Sequence, residues 1–304
     1  MAGAILTRTG PEGGGNFEYQ WSGDYLQAHL LSDVGKKRNH NEDSCVLCAP
    51  EDRTALARQG VLFAVADGMG GVSGGEFASR LALQTLADEY FSKSEGPIPV
   101  RLKEALRRAN QRIYEEAEHN PQYHGMGTTV SAVVIAGDCA YVAQVGDSRV
   151  YMTRENGSIW QITDDHSLVA EQVRNGMLSE EEARTHALKN LITRAVGTKD
   201  SIEVDLFAVR LQEKDTLLIC SDGLSNVVKD EEIASTLKSN TVQGAARVLV
   251  GRALEGGGPD NITVVLLRVS KTPPRTRLDE GAVKVTLQKP GFLSKLRRLM
   301  GERS

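Results

Sequence analysis

Cysteine is scarce. Four residues in a chain of 304 are too few and too scattered for a disulfide framework. Cys45 and Cys48 form one C-x-x-C with no second pair near it, and Cys139 and Cys220 sit singly in apolar runs. All four read as structural, and a reducing cytosol is the expected setting. No apolar run approaches the ~20 residues a membrane helix needs. The apolar patch in the opening MAGAILTRTGPEGGGNFEYQ is too short for a secretory signal. Internal repeats are absent as well. Hydrophobic residues at 40% and charged residues at 25% are ordinary for a globular chain, and the length suits one large domain or two small ones. The net charge of −4 is unevenly spread: residues 271–304 hold nine Lys/Arg against three Asp/Glu, so residues 1–270 carry −10. An acidic body argues against nucleic acid as the main partner and is compatible with a site rich in metal-binding carboxylates.

Residues 1–24 are Gly-rich without periodicity and read as a flexible N-terminal lead. From there to residue 270, strands are predicted at 25–34, 44–49, 61–66, 129–136, 139–145, 149–153, 158–163, 202–209, 216–222 and 262–269. A helix with Phe77, Ala78, Leu81, Ala82 and Leu86 on one face is predicted from Glu76 to Phe91. A second keeps its period through Leu102, Ala105, Leu106, Ala109, Ile113 and Ala117 until Asn120-Pro121 ends it. Residues 165–190 read as helical and polar, with Ser179 and Glu182 as a capping box. Two more helices are expected at 230–238 and 241–254. Short spacers such as Gly137-Asp138 and Gly146-Asp147-Ser148 fit antiparallel hairpins. Strand runs between helix pairs imply an α+β fold with mainly antiparallel sheets. The tail, 271–304, contains Pro273-Pro274, a short strand and a basic amphipathic end. There Phe292, Leu293, Leu296, Leu299 and Met300 share a face opposite Lys295, Arg297 and Arg298, so residues 290–300 suit weak contact with an anionic membrane surface or a partner. The plainer alternatives are a helix packed on the domain or a frayed tail.

The chain is organised around VLFAVADGMGG, residues 61–71. Its apolar run stops at Asp67-Gly68, which by itself reads equally as a turn and as a carboxylate held at the rim of the core. Other acids follow the same grammar. Asp222 closes TLLICS, Asp147 closes CAYVAQVG, Asp260-Asn261 precede ITVVLLRV, and Glu42-Asp43 precede SCVLCA. Each lies at a strand end or in a neighbouring turn. If those ends converge, five or six carboxylates share one cleft and repel one another unless cations bind. With no His-x-x-His or paired Cys in the set, the ligands are oxygen only, which selects Mg²⁺ or Mn²⁺ over Zn²⁺. Two such ions ~3.5–4 Å apart can clamp a phosphoryl group and acidify a shared water. Arg38, four residues before Glu42, can supply the fork that matches a phosphate.

Seven stretches in order resemble the motifs of the metal-dependent protein phosphatases, the PPM or type 2C serine/threonine phosphatases, with the bacterial branch most similar. They are Arg38–Asp43, Ala66–Gly71, Gly127–Thr129, Val145–Arg149, Asp165–Ser167, Ser221–Leu224 and Asp260-Asn261. The resemblance runs from about residue 25 to 270. It implies a sandwich of two antiparallel sheets flanked by helix pairs, with metals at one end. It implies that Asp67 bridges two ions, that Asp222 and Asp260 complete the first site, and that Glu42 (through water) and the Gly68 carbonyl serve the second. Asp43 would support the metal-bound waters, Asp147 with Asp222 would hold a third, looser ion, and Arg38 would bind the substrate phosphate. The implied reaction is in-line attack of a metal-bridging hydroxide on phosphoserine or phosphothreonine, the catalytic residues being Arg38 and Asp67. Many eukaryotic relatives carry a His where this chain has Met69, which cannot donate a proton. The leaving-group proton then falls to metal-held water ahead of His40 and His166, the nearest candidates by motif. Ser167–Asn190 matches the flap of bacterial members and is expected to be mobile and to affect substrate choice. The implied partners are phosphorylated proteins and an opposing Ser/Thr kinase, in the cytoplasm. Alternatives within the fold are a phosphatase for an anti-sigma antagonist and a silent phosphoprotein-binding member.

Overall fold

Stretches such as Cys45–Ala49 and Val61–Ala66 are apolar at every position, which a strand tolerates only when both of its faces are covered. The computed structural model describes residues 4–71, 74–277 and 286–287, and it covers both faces. In chain order the strands and helices begin with β1 (Ile5–Gly10), β2 (Phe17–Ser22), β3 (Leu26–Asp33), β4 (Asp43–Pro50), α1 (Arg53–Gln59) and β5 (Val61–Met69). The helix pair α2 (Gly74–Ser92) and α3 (Ile98–His119) follows, then β6 (Gly127–Thr128), β7 (Val130–Ala136), β8 (Cys139–Val145), β9 (Arg149–Thr153) and β10 (Ile159–Gln161). Next come α4 (Leu168–Arg174), α5 (Glu180–Thr185), β11 (Asp205–Arg210), β12 (Thr216–Cys220) and α6 (Asp222–Ser225). The described elements end with α7 (Asp230–Ser239), α8 (Val242–Glu255), β13 (Ile262–Val269) and β14 (Thr286–Leu287).

One sheet runs β1-β4-β5-β7-β8-β11-β14, with β6 on β5; the other runs β10-β9-β12-β13-β3-β2. Alternation along the strands sorts side chains into three layers. From β4 and β5, Cys45, Leu47, Phe63 and Val65 point between the sheets, toward Leu217, Ile219 and Val265. Val46, Cys48, Leu62 and Ala64 point the other way, onto Leu83, Leu86, Leu102 and Leu106 of α2 and α3. On the far side, Leu218, Val264 and Leu266 pack under Ile233, Leu237 and Leu249 of α7 and α8. The order is therefore helix pair, sheet, sheet, helix pair. A fully buried Leu or Phe contributes ~1.5–3 kcal/mol of transfer free energy, so these layers dominate stability. Cys45 and Cys48 lie in different layers because residues three apart on a strand face opposite ways; all four cysteines are free and buried.

The expectation of a flexible lead at 1–24 is overturned. β1 pairs with β4 from Ile5↔Pro50 to Gly10↔Cys45, and β2 pairs with β3 from Phe17↔Ser32 to Ser22↔Gln27. Phe17, Tyr19 and Trp21 turn inward onto the inter-sheet core, which gives the segment a reason to order. The polar stretch 165–190 is less helical than expected. Ser167 and Ser179 cap two short helices, the second through the predicted capping box, and residues 186–190 leave the helix. The strand predicted to run to Asp222 stops at Cys220, because Ser221 turns the chain into α6. In the tail, Thr276 docks on the β7–β8 hairpin: its amide donates to Asp138 Oδ1 at 2.8 Å, and Arg210 Nη1 donates to both Asp138 Oδ1 and the Thr276 carbonyl at 2.6 Å. β14 then pairs parallel with β11. The amphipathic stretch at 290–300 lies outside the described residues. No helix among the described residues is long and apolar enough to cross a membrane.

Candidate metal centre

Antiparallel pairing decides which strand ends meet. Asp43, the first residue of β4, stands opposite Asp67 near the end of β5. β7 begins beside that end of β5 and pairs Val130 with Val145, the last residue of β8. In the second sheet, Arg149 opens β9 opposite Cys220 at the end of β12, and Ile262 opens β13. All these ends form one rim. It carries Glu42, Asp43, Asp67, Asp147, Asp222 and Asp260.

The turn residues at the rim are held by a continuous polar network. Thr129 donates its amide to the Asp67 carbonyl at 2.9 Å, and its hydroxyl accepts the Asp67 amide at 3.0 Å. The same hydroxyl meets Ser148 Oγ at 2.6 Å, which ties the Asp67 end to the Asp147 turn. Ser221 Oγ donates to Asp43 Oδ2 at 2.7 Å and accepts the Thr263 amide at 3.0 Å. Asn261 accepts the Glu42 amide at 2.8 Å and donates to the carbonyls of Val34 and His40. Three loops are thereby stapled by one side chain. Gly68 faces a crowded backbone: a Cβ there would run into the carbonyl oxygens of Gly75 and Glu42. One on Gly75 would strike the Glu42 carboxylate, so the glycines let Glu42 lie against the start of α2.

Electrostatics mark the rim as unfinished. Burial, reinforced by Asp43, Asp222, Asp147 and Asp260, pushes the Asp67 carboxyl well above its usual range. Burial and the Asp222 and Asp165 charges do the same to Asp147, whose Oδ1 is buried without a hydrogen-bond partner. Burial, then Asp222 and Asp260, raises Asp43 to about 7 despite the Ser221 hydroxyl, and burial with Asp260 raises Asp222 to about 6. Burial also raises Glu42, aided by Asp260 and Glu76 and opposed by Arg38. Two guanidinium groups stand nearby. Arg38 Nη2 donates to Asp260 Oδ2 at 2.8 Å and is half-exposed. Arg149 is committed elsewhere: its Nε and Nη2 grip Asp165 at 2.9 and 2.7 Å, and its Nη1 donates to Tyr151.

The structure thus brings together Asp43, Asp67, Asp147, Asp222 and Asp260, with Glu42, the Gly68 backbone and Arg38 at the edge. Like charges buried this way stay ionised only with cations among them, and an oxygen-only donor set of this kind suits a hard divalent ion. Among the described residues, no three His, Cys, Asp or Glu side chains are grouped so as to hold an ion unaided. Waters would complete the shell, as Mg²⁺ ordinarily requires.

The two histidines near the motifs fare differently. His166 is buried; its Nδ1 accepts the Gly146 amide at 3.0 Å and its Nε2 meets Asp205 Oδ2 at 3.1 Å, so neither nitrogen is available to a leaving group. His40 is exposed, and its carbonyl is the part that Asn261 holds. Met69 pairs with Gly127 at the end of β5. Sequence reasoning assigns no role to Thr129, Ser148, Ser221 or Asn261, although each stands inside one of the seven motifs. For Ser148, Ser221 and Asn261 the signal is a small hydroxyl or amide next to Asp147, Asp222 and Asp260; Thr129 adjoins no acid in the chain and carries no such signal.

A family model, protein phosphatase 2C, matches residues 36–250. The serine/threonine phosphatase Stp of Listeria innocua is 38% identical over 247 residues, covering 80% of this chain and 95% of the relative. The crystal structure of the Mycobacterium tuberculosis serine/threonine phosphatase PstP/Ppp superposes with a TM-score of 0.72 at 38% identity, over 81% of this chain and 99% of that one. A structure of the PstP catalytic domain in complex with 2 manganese ions gives a TM-score of 0.70 at 38% identity, over 81% and 99% of the two chains.

Proposed function

The chain belongs to the protein phosphatase 2C family and is a serine/threonine protein phosphatase acting on phosphoproteins, and we propose that the rim of carboxylates is where it works. The observation that carries this is the crowding of Asp43, Asp67, Asp147 and Asp222: all four are pushed toward the protonated form and Asp147 Oδ1 is buried without a hydrogen-bond partner, a cost that bound cations would remove. The two manganese ions in the PstP complex support the same reading. Asp67, Asp222 and Asp260 would hold a first Mn²⁺ or Mg²⁺. Asp67, Glu42 and the Gly68 carbonyl would hold a second, with Asp43 supporting their waters. Asp147 with Asp222 would take a third, weaker ion. When bound, such ions neutralise phosphoryl charge and make a water acidic enough to attack at neutral pH.

The remaining work falls to the chain itself. Arg38 has two further guanidinium nitrogens beyond the one on Asp260, and it is exposed enough to orient the phosphate of a phosphoserine or phosphothreonine. Asn261, Ser221 and Thr129 keep the acid-bearing turns in register. Met69 has no proton to give and His166 is committed to Gly146 and Asp205, so neither protonates the departing alkoxide, and that proton is assigned to water held at the site. The substrates would be products of a Ser/Thr kinase in the cytosol, and the catalytic unit would run from β1 to about residue 270. Hydrolysis of p-nitrophenyl phosphate and of a phosphothreonine peptide should require added Mn²⁺ or Mg²⁺ and vanish in Asp67→Asn. Activity that survives EDTA would sink the metal assignment.

A further inference from the structure

A cavity of about 220 Å³ opens beside the acid rim, with Asp147 and Asp222 in its floor. Its roof is the segment 168–191, which carries α4 and α5. Charge on that roof is sorted. All three of its cations, Arg174, Arg184 and Lys189, line the cavity, whereas of its four acids only Glu180 does. Glu182 is turned into the capping box with Ser179, and Glu171 accepts from Thr193 Oγ1 at 2.7 Å. Arg174 donates to the Asp165 carbonyl at 3.0 Å and is balanced by Asp164. Arg184 and Lys189 are exposed and have no carboxylate within ion-pair distance among the described residues. Both cations face a cavity next to the reaction centre, whose lining also includes Glu180, Asp164, Asp165 and Asp230; of these, Asp165 is held by Arg149 and Asp164 is balanced by Arg174. The same segment carries three of the four large apolar side chains exposed among the described residues: Met177, Leu188 and Leu191. Cations for an acidic group and apolar side chains for a chain around it suit a polypeptide rather than a lone anion.

We infer that Arg184 and Lys189 form a subsite for an acidic group in the substrate's own chain, a carboxylate or a second phosphate close in sequence to the scissile phosphoresidue. The inference rests on the phosphatase reading and adds a substrate class to it. A phosphoresidue engaged at Arg38 and the rim leaves its flanking residues beside Asp222, where the cavity begins. With the rim neutralised by cations, the roof charges decide which flanks are favoured.

Three phosphothreonine peptides test this on the Mn²⁺-supplemented enzyme: one with neutral flanks, one with Glu two and three residues either side, and one with a phosphoserine in their place. The wild type should show kcat/KM about tenfold higher for at least one acidic peptide than for the neutral one, and the more favoured peptide identifies carboxylate or phosphate as the source. In Arg184→Glu/Lys189→Glu that preference should fall below twofold, and Arg107→Glu, a charge change on the exposed face of α3, should keep it. Fluorescence anisotropy with non-hydrolysable phosphonate versions of the peptides gives the same comparison as binding alone. Equal handling of the three peptides by the wild type, or a preference that survives the double variant, would overturn the subsite. So would an equal loss in Arg107→Glu, which would make the effect one of net charge. Failure of the phosphatase reading looks different: neither p-nitrophenyl phosphate nor any peptide is turned over, whatever the anisotropy reports.

Discussion

At the scale of single residues, Arg38 and Asp67 stand on one rim with opposite electrostatic problems. Arg38 is half in solvent and held by a single carboxylate, so its charge costs little and remains available. Asp67 is crowded by four other acids and by burial, so its charge is expensive until something positive arrives. Arg38→Ala should therefore raise KM for a phosphopeptide roughly tenfold, the order expected for one charged hydrogen bond, while Mn²⁺ still raises the melting temperature. An unchanged KM would remove Arg38 from phosphate binding. Asp67→Asn should do the reverse to stability. In the metal-free protein at pH 7.5 it removes a group that must take up a proton or bury a charge on folding, so urea denaturation should give a gain of about 1–3 kcal/mol. A loss there would mean that Asp67 stabilises the metal-free fold instead. The acids were legible in the sequence because each follows an apolar run or precedes one, but their partners were not. Nothing in the order of residues says that Asn261 reaches the Glu42 amide, or that His166 spends both nitrogens on Gly146 and Asp205.

At the scale of elements, long apolar strands and the helix pair α2–α3 were readable because their burial is strongly periodic. β1 and β2 were not. ILTRTG has no clean alternation and lies at a sheet edge, where one side of the ladder goes unpaired. FEYQWS did carry a signal: Phe17, Tyr19 and Trp21 alternate with polar residues at the period of a strand, and the surrounding glycines obscured it. Both strands cover neighbours that bear on the rim. β1 shields β4, and the Gly14 carbonyl next to β2 accepts the Asn41 amide at 2.9 Å. Deleting residues 1–24 should consequently lower the melting temperature by about 10 °C, consistent with losing the partly buried Phe17, Tyr19 and Trp21, each worth less than the ~1.5–3 kcal/mol of full burial, together with two strand pairings. A truncated protein that melts with the full chain would show that these strands add nothing. The short helices α4 and α5 merge into one helical region in the sequence because polar, cap-rich residues look helical over their whole length. Only the two serine caps say where each turn begins.

At the scale of the molecule, the sandwich collects acids from both sheets at one end, and the consequence is a pH-dependent stability. Asp43 and Asp222 have folded values near 7 and 6 against an ordinary value of 3.8. Between about pH 4 and pH 7 the folded, metal-free protein holds protons that the unfolded chain has released, so stability must fall as pH rises through that window. A tenfold difference in proton affinity between the folded and unfolded states is worth about 1.4 kcal/mol. Differential scanning fluorimetry in EDTA should show a melting temperature that declines from pH 5 to pH 7.5. Mn²⁺ should restore it more at pH 7.5 than at pH 5, where protons compete for the same oxygens. At 100 times its dissociation constant one ion adds about 2.7 kcal/mol. A metal-free melting temperature that climbs with pH would contradict the shared burial of these acids.

By itself the sequence determined the layers, the antiparallel hairpins, the apolar faces of α2 and α3 and the identity of the acids. All of these follow from local periodicity and from what a residue type can do at a strand end. Tertiary structure decided which ends meet. Register placed Asp43 opposite Asp67, and pairing across the second sheet brought Asp222 to Asp260, contacts between residues far apart in the chain. It also decided where charge is neutralised, pairing Arg149 with Asp165 and leaving Arg184 and Lys189 facing the cavity. Coulomb energies depend on distance and burial, and a sequence states neither.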